Sequence, residues 1–363
     1  MLKSDDRTAD LFHDTLPAVR PASPAEATGF EIGWDHAHYR LTPAARALAA
    51  NPSVHQGWQA GCAVFGSRHL KPTPTVKAWL DLRLAAWERG VAFEPVQVTP
   101  HFLAQIEASA CPVTRMPSTR ASGAGSDAVF ERVGSHAGYA AGNLAAMSLR
   151  ARDAKAGLDW AEALTNAAQL ERAGLDTLDG LSALQWQRLG VLMSFVTPLP
   201  HAEAARLPMA VLPPNRLRLL NAVQALQAVL TLAFAAPNAV PSLRELRPHV
   251  PEAARHHFQV FVLTLQARRL AIGLQVGSKD DALDLRHALE DLWCEPAVNR
   301  RWQRFALLLD EAACERLVRV AARRGLAKNW QWLPRAAATD GWALAGAGQS
   351  RQAVGAAAQP VRC

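Results

Sequence analysis

Cysteines are few in this chain, and no two of them stand close together. The five, Cys62, Cys111, Cys294, Cys314 and Cys363, are odd in number and nowhere spaced as C-x-x-C, which excludes a disulfide framework and a four-cysteine zinc site. A reducing cytoplasm fits that usage. Long apolar runs are also lacking. The most apolar stretch, residues 217–234, carries Arg218, Asn221, Gln224 and Gln227, polar groups that lipid would not tolerate at those intervals. It reads as a buried core helix, and no membrane partner is expected. The opening residues Met1 to Arg7 are polar and charged, without the apolar stretch of a signal peptide. No internal repeat is evident.

What is present is helix-forming and basic. The 363 residues are 50% hydrophobic and 20% charged, the balance of a globular chain long enough to bury a substantial core. Ala, Leu and Arg, all good helix formers, are abundant. The net charge of +7 favours an anionic partner, with nucleic acid the first candidate.

Residues 1–29 read as a disordered leader, with Pro17, Pro21 and Pro24 breaking any helix. An N-terminal domain follows over residues 30–197. Its clearest helix runs near Pro74 to Gly90, where Val76, Trp79, Leu80, Leu82, Leu84 and Trp87 recur at roughly helical spacing. A Pro-rich connection over residues 198–214 marks the expected domain boundary. A helical, Arg-rich domain spans residues 215–334, with helices near 215–235, 252–274, 279–294, 297–309 and 311–325. Residues 335–363, rich in Ala, Gly and Gln, read as a disordered tail. The fold class expected is mainly α, with a helical C-terminal domain and a small embedded ββα module.

That module lies in residues 111–157, where helical periodicity gives way to Gly, Ser and short apolar runs. The chain reads Cys111-Pro112-Val113-Thr114-Arg115, then a Gly/Ser loop, then Ala128-Val129-Phe130-Glu131-Arg132-Val133. Gly138-Tyr139, Gly142-Asn143 and the run Ser148-Leu149-Arg150-Ala151-Arg152-Asp153-Ala154-Lys155 complete it. Physically this is a turn, a strand, a tight loop and a helix.

The segment resembles the HNH (ββα-metal, His-Me finger) nuclease family, in a version with a C-P-x-T turn, a strand reading x-V-D-[HR]-I, then G-Y, G-N and a helix opening S-x-R-A-N-x-x-K. The resemblance implies a β-hairpin packed on a helix and one divalent cation, Mg²⁺ or another, serving phosphodiester cleavage. It implies that Glu131 stands at the strand carboxylate that ligates the metal, and that Asn143 is the family's central Asn, which holds the loop or orients the base. It also exposes departures. Arg132 occupies the position of the catalytic His, and a guanidinium stays protonated and takes no proton from water. Arg152 stands where the helix offers its last metal ligand, and its charge would repel a cation. His136, in the loop before Tyr139, is the candidate replacement base. Arg132, Arg150, Arg152 and Lys155 become candidate phosphate contacts.

Two other features carry a signal. Asp35-His36-Ala37-His38 would place both histidines on one face of a strand, as metal ligands are placed, though no third ligand is identifiable. Residues 296–335 hold nine basic residues against three acidic ones, most of the net charge. Within them Arg316, Arg319 and Arg323 fall on one helical stripe, with Trp302, Trp330 and Trp332 near in sequence, a pattern suited to phosphates with stacking aromatics.

Three readings follow. The first is a nucleic-acid-binding HNH-like protein acting on DNA in particular, its metal-dependent hydrolysis weakened or lost. The second is a non-enzymatic helical interaction protein in which the ββα segment is a relic. The third is a metal enzyme centred on His36 and His38.

Overall fold

The computed structural model describes residues 23–120, 122–235, 243–273, 279–325 and 331–332. It divides by contacts into two compact units, Met1–Gly90 and Val91–Cys363. The protein is mainly helical, with one two-stranded antiparallel sheet and one short parallel pair.

The first unit is built from α1 (Pro24–His38), α2 (Ala45–Ala50), α3 (Pro52–Phe65) and α4 (Pro74–Glu88). Pro24 does not break α1 but starts it: proline is tolerated in the first helical turn, where its missing N–H would be unpaired anyway, and Ser23 caps the helix by accepting from Glu26 N at 3.2 Å. The expectation of a leader through residue 29 is corrected for residues 23–29, while residues 1–22 lie outside those described. The α4 helix is capped by Thr73, which accepts from Val76 N, and Gly90 follows it with φ of 63°, the stop expected there.

The α1 and α3 helices lie against each other through glycines. Gly29 packs beside Ser53, Gly33 beside the Val54 carbonyl, Gly57 beside the Phe30 carbonyl and Gly61 beside Ala37. Early residues of one helix meet early residues of the other, so the pair runs parallel. Ile32, Ala47, Val54 and Leu84 form the small core, covered by Leu48 and Trp87. Asp35 pairs with Arg83, whose guanidinium lies over the Trp79 ring at 4.6 Å, tying α1 to α4. Residues 35–38 are therefore helical, which corrects the strand reading. Two helical positions apart, His36 and His38 point about 200° apart around the axis. His36 is buried with Nδ1 at 2.7 Å from the Ile32 carbonyl, and His38 stacks on Phe65. They share no ligand site.

The second unit contains α5 (Pro100–Ile106), β1 (Ala128–Arg132), β2 (Leu144–Ser148), α6 (Leu149–Lys155), α7 (Trp160–Ala173), α8 (Ala183–Phe195) and α9 (His201–Ala204). After β3 (Arg218–Leu219) come α10 (Ala222–Ala233), α11 (Arg255–Ile272), α12 (Lys279–Leu292), α13 (Pro296–Ala306) and α14 (Glu311–Arg323). The strand β4 (Gln331–Trp332) pairs in parallel with β3. A large apolar core runs from Cys111 and Met147 through Trp186 to Trp302 and Leu317. The boundary expected over residues 198–214 is not a break in packing: Met209, Ala210, Val211 and Leu212 are buried in that same core. Prolines there interrupt helix without interrupting burial.

The α10 helix is buried along nearly its whole length, as its apolar run implied, although it starts later than residue 215 because Arg218 and Leu219 are spent in β3. Its polar residues are satisfied internally: Gln224 donates to Ser194 Oγ at 2.8 Å and Gln227 to the Leu207 carbonyl at 3.1 Å. Among the described residues no helix is long and apolar enough to cross a membrane.

Candidate functional site

The segment over residues 111–157 folds as a turn, an antiparallel hairpin and a helix. In the turn, Arg115 N donates to the Cys111 carbonyl at 2.8 Å, Cys111 N donates to the Met116 carbonyl at 3.0 Å, and Arg115 adopts φ of 59°. The hairpin pairs Val129 with Met147, Glu131 with Ala145 and Arg132 with Leu144. Side chains alternate along a strand, so Glu131 shares a face with Val129 and Val133. Val133, Ala145 and Met147 of this face belong to the core that also takes Ala151 and Ala154 of α6. Glu131 is thus directed at the helix rather than at solvent, and its side chain is only 12% exposed. Ser148 ends β2 and caps α6, accepting from Ala151 N at 3.3 Å.

Lys155 closes α6 from the inside. It is 2% exposed, and its pKa is lowered, first by burial and further by Arg132, with Glu131 opposing the shift. An ammonium taken out of water is costly unless an anion faces it, and Glu131 supplies that charge. Lys155 is interior, so the expected phosphate contact there is not met.

Arg132 also turns inward. Its Nη1 donates to the carbonyls of Ser135 at 3.3 Å and Ala137 at 3.0 Å, and its guanidinium lies 5.2 Å from the Tyr139 ring centre. It braces the loop. Asn143 is fully buried: its Oδ1 accepts from Gly134 N at 2.8 Å, and its Nδ2 donates to the carbonyls of Gly134 and Gly138 at 3.0 Å and Ala137 at 3.4 Å. With both polar atoms spent on backbone, Asn143 positions the loop and does not reach a reacting atom. His136 lies on the outer side of that loop with its ring against Gly134. Burial of the ring lowers its pKa, a hydrogen bond with the Val196 backbone opposes the shift, and Arg132 adds to it.

A divalent cation does not fit this residue set. Glu131 is a carboxylate aimed between hairpin and helix, and Lys155 and Arg132 already face it with positive charge. Arg152, at the position of the last expected ligand, binds Asp153 through Nε at 2.9 Å and Nη2 at 2.7 Å. No group of three or more His, Cys, Asp or Glu side chains able to hold a metal occurs among the described residues.

Asp127 organises the loop before β1 and was not singled out from the sequence. Its Oδ1 accepts from Ser122 Oγ at 2.6 Å, Thr119 Oγ1 at 2.7 Å and Ser122 N at 3.2 Å, and its Oδ2 from Gly123 N at 2.9 Å. These bonds, those of the Ser122 and Thr119 hydroxyls first, lower its pKa to about 2. The signal was the clustering of hydroxyl residues and glycine just ahead of an Asp, the composition of a carboxylate-centred turn.

Of the expected nucleic-acid contacts, Arg150 is exposed beside Gly125, and Arg152 is half-buried in its pair with Asp153. Arg316, Arg319 and Arg323 are all exposed on one row of α14, opposite the buried Leu317 and Val318. Arg319 also binds Glu315 at 2.6 Å. Trp302 stands apart from them: it is fully buried among Phe261, Trp293 and Phe305 and donates to the Ala205 carbonyl at 3.0 Å. A stacking role for Trp302 is thereby removed. Trp330, Lys328, Arg335 and the tail over residues 335–363 lie outside the described residues, as does the side chain of Trp332. Comparison with family models, with curated proteins and with solved structures finds no match to this chain.

Proposed function

We propose that this protein binds nucleic acid, DNA in particular, through surface arginines, and that its hairpin and helix are an HNH-like module without metal-dependent hydrolysis. The observation that carries this reading is the joint exposure of Arg316, Arg319 and Arg323 on one helical row, since guanidinium groups spaced along a helix face suit a run of phosphates. Hydrolysis is left out because Lys155 and Arg132 supply the positive charge around Glu131 that a cation would otherwise bring.

The test is fluorescence anisotropy with duplex DNA, single-stranded DNA and single-stranded RNA over a salt series. Each phosphate contact contributes about −0.9 to the slope of log K against log salt on duplex DNA, so replacing all three arginines with alanine flattens the slope by roughly 3. A slope unchanged by the triple variant refutes the assignment. In parallel, plasmid incubated with Mg²⁺ or Mn²⁺ is expected to show no cleavage above an EDTA control, equally for wild type, Glu131→Ala and His136→Ala.

A second reading, a non-enzymatic interaction protein with the ββα segment as a relic, draws support from the burial of Trp302, which withdraws an expected stacking partner. Absence of oligonucleotide binding at low salt selects it.

A further inference from the structure

Beside the Cys111–Arg115 turn lies a cavity of about 260 Å³, between the chain following α5 and one face of α12. Ile106, Cys111, Val211 and Leu283 supply its apolar wall, and Arg286, His287 and Glu290 line another part of it. Apolar and polar groups line it in nearly equal share, so it offers an apolar wall and a charged wall side by side.

The charge balance around the cavity is specific. Glu290 is buried and saturated: its Oε1 accepts from Leu212 N at 2.8 Å and Arg286 Nε at 3.2 Å, and its Oε2 from Arg115 Nη2 at 2.9 Å. Asp291 accepts from Arg115 at 2.8 Å and from Arg188 at 3.2 Å. Three guanidinium groups, on Arg115, Arg188 and Arg286, therefore meet two carboxylates, leaving one positive charge uncompensated. Donors are in excess as well: the buried Nε atoms of Arg115 and Arg188 make no hydrogen bond. Arg286 spends Nε on Glu290 and Nη2 on the Leu212 carbonyl, and it also lines the cavity. The other acidic lining residue, Glu107, is paired with Arg120. Both carboxylates of the lining, Glu107 and Glu290, are thus held in ion pairs.

We propose that this cavity binds a small organic anion with a flat apolar body, its carboxylate held by Arg286 with His287 beside it and its body against Ile106, Val211 and Leu283. A cation is disfavoured by the uncompensated guanidinium, and a bare inorganic anion leaves the apolar wall uncovered. Such a ligand adds an acceptor to a network that already ties the Cys111–Arg115 turn to α12, so it stiffens the support of the hairpin module. The assignment is independent of nucleic-acid binding.

The test uses benzoate as probe, with benzamide as its neutral counterpart of the same shape. Ligand-observed NMR and thermal shift are read on wild type, Leu283→Trp, which fills the cavity, and Arg286→Gln. A nine-atom carboxylate is expected to bind with Kd on the order of 1 mM. Benzamide and the Arg286→Gln variant with benzoate are each expected to be about tenfold weaker, and Leu283→Trp is expected to abolish binding while keeping the helical circular-dichroism spectrum. Equal binding of benzoate and benzamide overturns the proposal, as does binding unaffected by Leu283→Trp, or no benzoate signal at concentrations of about 20 mM, well above that Kd.

Discussion

Asn143 grips Gly134 at both of its backbone groups, accepting from the N–H at 2.8 Å and donating to the carbonyl at 3.0 Å. With two further carbonyls on Nδ2, one side chain sets the path of the whole connection between β1 and β2. Truncation leaves several buried backbone groups unpaired at once, at about 1–3 kcal/mol for each unsatisfied group. Asn143→Ala is therefore expected to cost about 3 kcal/mol in urea denaturation. Asn143→Asp is expected to cost at least as much, because an oxygen would then face the Gly134 and Gly138 carbonyls. A loss below about 1 kcal/mol in both variants contradicts this role.

How far the sequence reveals this arrangement depends on the range of the forces involved. Local patterning exposes the hairpin and α6: short apolar runs, Gly-Tyr and Gly-Asn punctuation and Ser148 ahead of a helix-forming run all act within a few residues. The same holds for α10, whose apolar length implies burial. Pro24 misleads because proline both ends and begins helices, and only the cap at Ser23 distinguishes the two. Lys155 and Arg132 mislead because a basic residue is expected at the surface. Their inward turn depends on Glu131 and on loop carbonyls brought near by the fold. The tie between Arg115 and Asp291 spans 176 residues, and no local pattern announces it.

The Glu131 and Lys155 charges are expected to stand or fall together. Glu131→Ala leaves a buried ammonium without its anion and is expected to cost on the order of 2 kcal/mol, whereas the double variant Glu131→Ala/Lys155→Met should recover most of that loss. Folding lowers the Lys155 pKa, burial being the main cause, so the unfolded chain binds the extra proton. Stability then rises with pH across the interval between the lowered value and the ordinary lysine range. Lys155→Met should abolish that rise in a pH series of chemical melts. A Glu131→Ala variant as stable as wild type would show that the two charges do not interact.

Asp127 gives a dependence of the same sign in the acid range. Its carboxyl titrates near 3.8 when unfolded and at about 2 in the native loop, so the native state favours the ionised form. The contribution is complete above about pH 5 and is lost as pH falls through the interval from about 4 to 2. Thermal melts of Asp127→Asn should be lower than wild type at neutral pH and converge with it near pH 2. Parallel curves across that interval would remove Asp127 as the organiser of the loop over residues 119–127.

The glycines of the first unit yield the sharpest contrast. In an exposed helix interior, Gly→Ala stabilises by about 1 kcal/mol, because alanine loses less backbone entropy on folding. At Gly57 a Cβ would land on the carbonyl oxygen of Phe30, and at Gly33 on that of Val54. Both neighbours are helical backbone, so neither helix can yield without separating from the other. Gly57→Ala and Gly33→Ala are accordingly expected to destabilise the first unit by about 2–4 kcal/mol, reversing the usual sign. Gly66 serves as control: it has φ of 54° and nothing within 4 Å of its would-be Cβ, so alanine there meets only the backbone penalty of about 1 kcal/mol. The spacing Gly29-x-x-x-Gly33 and Gly57-x-x-x-Gly61 is what brings two helix backbones this close without large side chains between them. Urea melts of the three variants, with limited proteolysis in the region of residues 39–52 as a local readout, decide the matter. If Gly57→Ala is no more damaging than Gly66→Ala, the two helices are held by something other than their glycines.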